Sequence, residues 1–149
     1  MKKLFLGLAL FSMVFTACNE SSSQAEKVTD EGSIPFLGDW ERSFMLGVDS
    51  LQYVYYNIYE DSIEYIMEGP LPLNYAMEID TFISGENRVV TKLKDVYFVV
   101  FVKELGGDSI SLFKQQYDTR YEALNRDYPS DTVSGHFSSW YTYYKKTED

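Results

Sequence analysis

The chain is short of the residues from which most small active sites are built. It has one cysteine, so no disulfide can form within it. It has one histidine, His136, so a zinc site would need other ligands, and no metal is expected. No Gly-x-Ser-x-Gly elbow and no glycine-rich phosphate loop occurs. Ser134, Ser138 and Ser139 lie near His136 along the chain, but neighbours on one strand do not make a nucleophile–base pair. Glu78 and Asp80 could share a strand face, which reads more simply as solvated surface than as an acid pair. Positive charge is also scarce: 13 Lys and Arg stand against 23 Asp and Glu, a formal charge of −10. Such a chain repels nucleic acid and anionic head groups. Long apolar runs are missing too. The one candidate, residues 4–15, is shorter than the roughly 20 residues a helix needs to span a bilayer. These absences point to a non-catalytic protein without a cofactor.

That short run has a setting of its own. Lys2 and Lys3 precede it, and Phe15-Thr16-Ala17-Cys18 ends it. A basic start, an apolar stretch and small residues before a cysteine resemble the leader and lipobox of bacterial lipoproteins, with Phe15 where leucine is usual. The resemblance implies cleavage between Ala17 and Cys18. Cys18 would then carry a thioether-linked diacylglycerol and an acylated amine. Several acyl chains, at about 0.8 kcal/mol per buried methylene, make a durable anchor. The membrane partner would therefore be reached through lipid on Cys18, in a bacterial cell envelope. Residue 19 is Asn, not the Asp that favours inner-membrane retention in enteric bacteria, which leans toward the outer membrane and leaves the exposed side open. Without residues 1–17 and their two lysines the formal charge becomes −12. Residues 18–33 are polar and aperiodic and read as a flexible tether. Residues 34–149 read as one domain.

All 13 tyrosines fall in that domain. Segments of period two recur along it, an all-β pattern. Eight strands are expected, at 39–46, 51–59, 62–68, 74–83, 87–93, 96–104, 108–116 and 136–144. One short helix is expected before the last, with a capping box at Thr119 and Glu122 and a stop at Pro129. A one-residue slip reverses every side chain, so turns can be tested against faces. A two-residue turn at Glu60-Asp61 pairs Ile58 with Ile63, Tyr56 with Tyr65 and Val54 with Met67. A three-residue Ser84-Gly85-Glu86 loop pairs Met77 with Leu93, Ile79 with Thr91, Glu78 with Lys92 and Thr81 with Val89, with positive φ at Gly85. A Lys94-Asp95 turn sends Val96, Phe98, Val100 and Val102 inward. It leaves Tyr97, Val99 and Phe101 as an apolar outer stripe, to be covered by the helix through Tyr121 and Leu124 or met by a protein partner. Gly106-Gly107 marks another hairpin.

Eight sequential strands favour an antiparallel up-and-down barrel; an open sheet or sandwich covered by the helix is the alternative. Gly38-Asp39-Trp40, at the start of the first strand, resembles the Gly-x-Trp opening of lipocalin-like (calycin) proteins. In that family the Trp plugs one barrel end and stacks on a basic residue near the last strand, for which Lys145 and Lys146 are available. The resemblance implies a pocket for a small hydrophobic ligand. Trp40, Tyr56, Tyr65, Met77 and Phe98 are the candidate ligand-binding residues, although side chains so bulky could equally fill the interior. Two functions compete: an envelope lipoprotein that binds a small hydrophobic molecule in its barrel, and a structural or interaction lipoprotein that uses the outer stripe.

Overall fold

In the computed structural model, residues 32–130 and 139–147 are described. The leader, Ala17 and Cys18, most of the tether, Ser134, His136 and Ser138 lie outside them. Eight strands in chain order form a closed antiparallel barrel: β1 Gly38–Met45, β2 Leu51–Ile58, β3 Ser62–Glu68, β4 Leu73–Ile83, β5 Arg88–Leu93, β6 Val96–Glu104, β7 Ser109–Tyr117 and β8 Tyr141–Lys145. Each strand neighbours the next, and β8 returns to β1.

Alternation builds the interior. On β1 to β3, Trp40 pairs with Tyr56 and Tyr56 with Tyr65, while Val54 pairs with Met67 and Ile58 with Ile63. These pairs are the ones that the Glu60-Asp61 turn demands, and Tyr59 N–H donates to Ser62 O across it at 2.9 Å. Val54, Tyr56, Ile58, Ile63, Met77, Val89, Phe98, Val100, Val102, Ile110, Leu112 and Tyr143 are buried together. The other face of β2–β4 carries Asn57 opposite Glu64, and Ser62 opposite Glu78.

The β4–β5 hairpin departs from the expected register. Glu78 pairs with Lys92 and Ile79 with Thr91, as the three-residue loop requires, but Thr81 pairs with Val90 instead of Val89. A bulge between Ile79 and Thr81 inserts one residue. The loop is correspondingly longer: Ser84–Glu86 form a 3-10 turn, and Asn87, not Gly85, takes the positive φ of 44°. Asparagine tolerates the left-handed region by bonding locally.

One end of the barrel is closed. Phe36 folds across it, the Trp40 indole N–H donates to Phe36 O at 3.0 Å, and the Phe36 and Phe82 rings meet edge to face at 5.8 Å. Lys145 is the cross-strand neighbour of Trp40. Lys146 instead reaches the outer face, where its Nζ lies 5.1 Å from the Tyr55 ring.

A second apolar layer lies outside the sheet. Val90, Val99, Phe101, Phe113 and Ala123 are fully buried there, with Tyr97, Leu124 and Trp140 beside them. The cover is α1, Arg120–Leu124, whose Thr119–Glu122 capping box forms as expected. It presses on the sheet through Ala123, whereas Tyr121, expected to face the stripe, is 68 % exposed. A partner meeting Val99 or Phe101 would have to displace that cover. The last strand starts at Tyr141 rather than 136; Trp140 belongs to the outer layer, 5.6 Å from Phe113.

Arg88 joins the layers. Its side chain is fully buried, pairs with Glu86 at 3.1 Å, and donates to Leu124 O at 3.0 Å and to Arg126 O. A cation at the carbonyl end of α1 satisfies groups that the helix leaves open. Replacing it leaves those carbonyls buried without donors. Arg88→Met should cost about 2–4 kcal/mol of unfolding free energy. Urea unfolding followed by tryptophan fluorescence checks this, and a loss under about 0.5 kcal/mol would contradict it.

Candidate functional site

The two ends of the barrel differ. At the end opposite Trp40, Phe44, Tyr65, Met67, Tyr75, Leu93 and Val96 are only half-buried, and Leu73 is 48 % and Tyr141 41 % exposed. Among the described residues, the wall is incomplete on the same half. β8 meets β1 only at Trp40 and Glu41, and meets β7 only from Ser109 to Leu112. Beyond those pairs, among the described residues, residues 42–45 of β1 and 113–117 of β7 have no ladder partner on that side.

Tyrosines line this half because the hairpin registers stack them. Tyr56, Tyr65 and Tyr75 are successive cross-strand neighbours on β2, β3 and β4. Strands sit about 4.8 Å apart, so such a row brings rings into contact. The centroids are 5.0 Å apart for Tyr56–Tyr65 and 5.2 Å for Tyr65–Tyr75. Tyr143 joins Tyr56 edge to face at 5.2 Å, and Phe98 lies 6.2 Å from Tyr75.

Two cations enter this aromatic lining. Lys114, paired with inward-facing Val100, holds its Nζ 3.6 Å from the Tyr65 ring centroid and 5.1 Å from that of Tyr75, and donates to the Tyr75 hydroxyl. Arg42, paired with inward-facing Val54, stacks its guanidinium 3.8 Å from the Tyr141 ring and 4.9 Å from that of Phe44. Its Nε is buried and has no hydrogen-bond partner. The ring faces attract both cations. Among the described residues, no carboxylate forms an ion pair with either.

Burial sets the protonation of the group. It pushes the Tyr75 hydroxyl up to about 12, raises Tyr56 and Tyr143 well above the usual phenol value, and pushes the Lys114 amine down to about 8. Coulombic attraction from Arg42 works against the rise at Tyr65 and Tyr143. The tyrosines are therefore neutral hydrogen-bonding groups at neutral pH, and Lys114 titrates just above it.

The candidate ligand-binding residues separate into two places. Tyr56, Tyr65 and Phe98 surround Lys114. Met77 is fully buried and receives the Thr91 hydroxyl at 3.5 Å, so it is core. Trp40 belongs to the closed end, where it borders a concavity of about 280 Å³ with Phe36, Asp108 and Lys145. A larger concavity of about 540 Å³ lies beside the β4 bulge, between Ile34, Leu37, Phe82, Glu60 and Arg120. There Asp80 is held by Arg120 at 2.8 Å, so it is spoken for as a salt-bridge partner rather than paired with Glu78. No group of three His, Cys, Asp or Glu among the described residues is placed to hold a metal.

Arg42 and Lys114 were missed from the sequence. Trp40-x-Arg42-x-Phe44 puts the arginine on the plugging tryptophan's face, which was a usable signal. On β7, apolar Phe113 interrupts the polar face and charged Lys114 the apolar one, so alternation alone is ambiguous. Comparison of the chain with protein-family models, with curated proteins and with solved structures finds no match.

Lys114 makes a testable contribution to stability. An amine with a lowered folded pKa loses its proton first in the native state. From about pH 8 to 10 the unfolded chain then binds more protons, and stability rises with pH. The gain should be at most about 2 kcal/mol after allowance for partial solvent contact. Above pH 10 the direction reverses, because unfolded tyrosines ionise while Tyr56, Tyr75 and Tyr143 hold their protons. Urea titrations at pH 7, 8 and 9, below the tyrosine range, should show the rise in the native chain and a nearly flat line in Lys114→Met.

Proposed function

We propose that the protein is an envelope lipoprotein of lipocalin-like architecture whose open barrel end binds a small, largely apolar molecule. One observation carries this reading: one end is stoppered by Trp40 and Phe36, while the other leaves an aromatic lining half-exposed where, among the described residues, β1 and β7 lack a ladder partner between them. Half-buried Tyr65, Tyr75, Phe44 and Met67 offer ring faces and a thioether to a ligand. The full burial of Met77 favours a binding position near the opening over one deep in the barrel. The interaction reading draws less support, because the outer stripe at Val99 and Phe101 is buried beneath α1.

The neutral dye N-phenyl-1-naphthylamine tests binding directly. It should saturate at one molecule per chain. Tyr65→Ala should weaken it at least several-fold, while Tyr144→Ala, on the outer face and 61 % exposed, should not. Absence of saturable binding by the folded chain would defeat the reading.

The basic and apolar leader ending at Ala17-Cys18 supports attachment to a bacterial membrane, the outer one in preference, by lipid on that cysteine. Mass spectrometry of protein from its host should find Cys18 as the first residue, carrying acyl chains. A free thiol there, or retained residues 1–17, would refute the anchor.

A further inference from the structure

We propose that the ligand of the open end carries an acidic group, a carboxylate or sulfonate, held between Arg42 and Lys114. This rests on the reading that the open end binds a small molecule. Four observations carry it. The two cations project from β1 and β7, on the stretches of those strands that have no ladder partner on one side among the described residues. Both belong to one aromatic group: Arg42 lies 5.5 Å from the Tyr143 ring, Lys114 lies 5.6 Å from the Tyr56 ring, and those two rings touch at 5.2 Å. Neither forms an ion pair with a carboxylate among the described residues, in a chain with ten more acidic than basic side chains. Arg42 also keeps a buried Nε–H without an acceptor.

Desolvating two like charges within one lining is costly unless an anion answers them. Ring faces offset part of that cost but leave the N–H donors incompletely used. An acid group at the opening would take up those donors, with the guanidinium supplying a fork and the ammonium a point charge. The apolar part of the molecule would then lie on Tyr65, Tyr75 and Phe98. The titratable groups facing the pair are Tyr56 on β2, Tyr65 on β3, Tyr75 on β4, and Tyr141 and Tyr143 on β8; β5 and β6 present Thr91 and Phe98. None of these is an acid that would be charged at neutral pH.

The test uses two dyes with one skeleton, 8-anilino-1-naphthalenesulfonate and the neutral N-phenyl-1-naphthylamine, titrated against the full chain. The sulfonate should bind at least about tenfold more tightly. Arg42→Met and Lys114→Met should each shrink that ratio several-fold, with circular dichroism confirming that both variants are folded. Raising the pH from 7 to 9.5 should shrink the ratio in the native chain but not further in Lys114→Met. Equal affinities, or a ratio that survives both substitutions, would overturn the proposal and leave the apolar site standing. Failure of both dyes to saturate would remove the site itself.

Discussion

A single inserted residue in β4 lets one sheet serve two apolar layers. Up to Ile79 the strand alternates in step with β5, with Tyr75, Met77 and Ile79 facing inward. At Asp80 the register shifts by one. Beyond it, Phe82 points into the barrel and packs on Phe36, while Thr81 and Ile83 join Val90 and Arg88 on the outside. Without the shift, Phe82 would face out and the plug would lose its edge-to-face partner. The bulge also presents Asp80 to Arg120, at the first turn of the helix that roofs the outer layer. Stopper and roof thus both hang on one local break in the ladder, the usual way in which a bulge re-aims side chains.

The shortness of β8 has the opposite consequence. Five residues suffice to close the barrel at the Trp40 end but, among the described residues, do not reach along the rest of β1 and β7. Where the ladder stops, the interior turns from aliphatic to aromatic and takes in two cations. Ring faces flank those charges and offset part of the cost of holding them there. The acidic composition of the chain and the two cations of the lining are therefore separate features, the second adding positive potential to the open half of the interior.

Much of the fold was legible in the chain. The β2–β3 register follows from turn length and face matching, since any slip would send Ile58, Tyr56 and Val54 to solvent. The helix cap at Thr119 was legible for a similar reason: its hydrogen bonds close within one turn. The β4–β5 loop was less so, because Glu78–Lys92 and Ile79–Thr91 agree with both a short loop and a bulged longer one. The choice between them depends on Phe82 meeting Phe36, more than forty residues away in sequence. Arg88 was illegible for that reason too: a basic residue opening a strand looks like a solvated end until α1 is laid over it.

By itself the sequence determined what depends on neighbours along the chain: strand alternation, two-residue turns and the capping box. Tertiary structure alone decided which apolar faces are covered, where β8 stops, and that Arg42 and Lys114 share one aromatic lining. Those outcomes rest on contacts between strands far apart in the chain, and side-chain periodicity says which face a residue takes but not what stands opposite it.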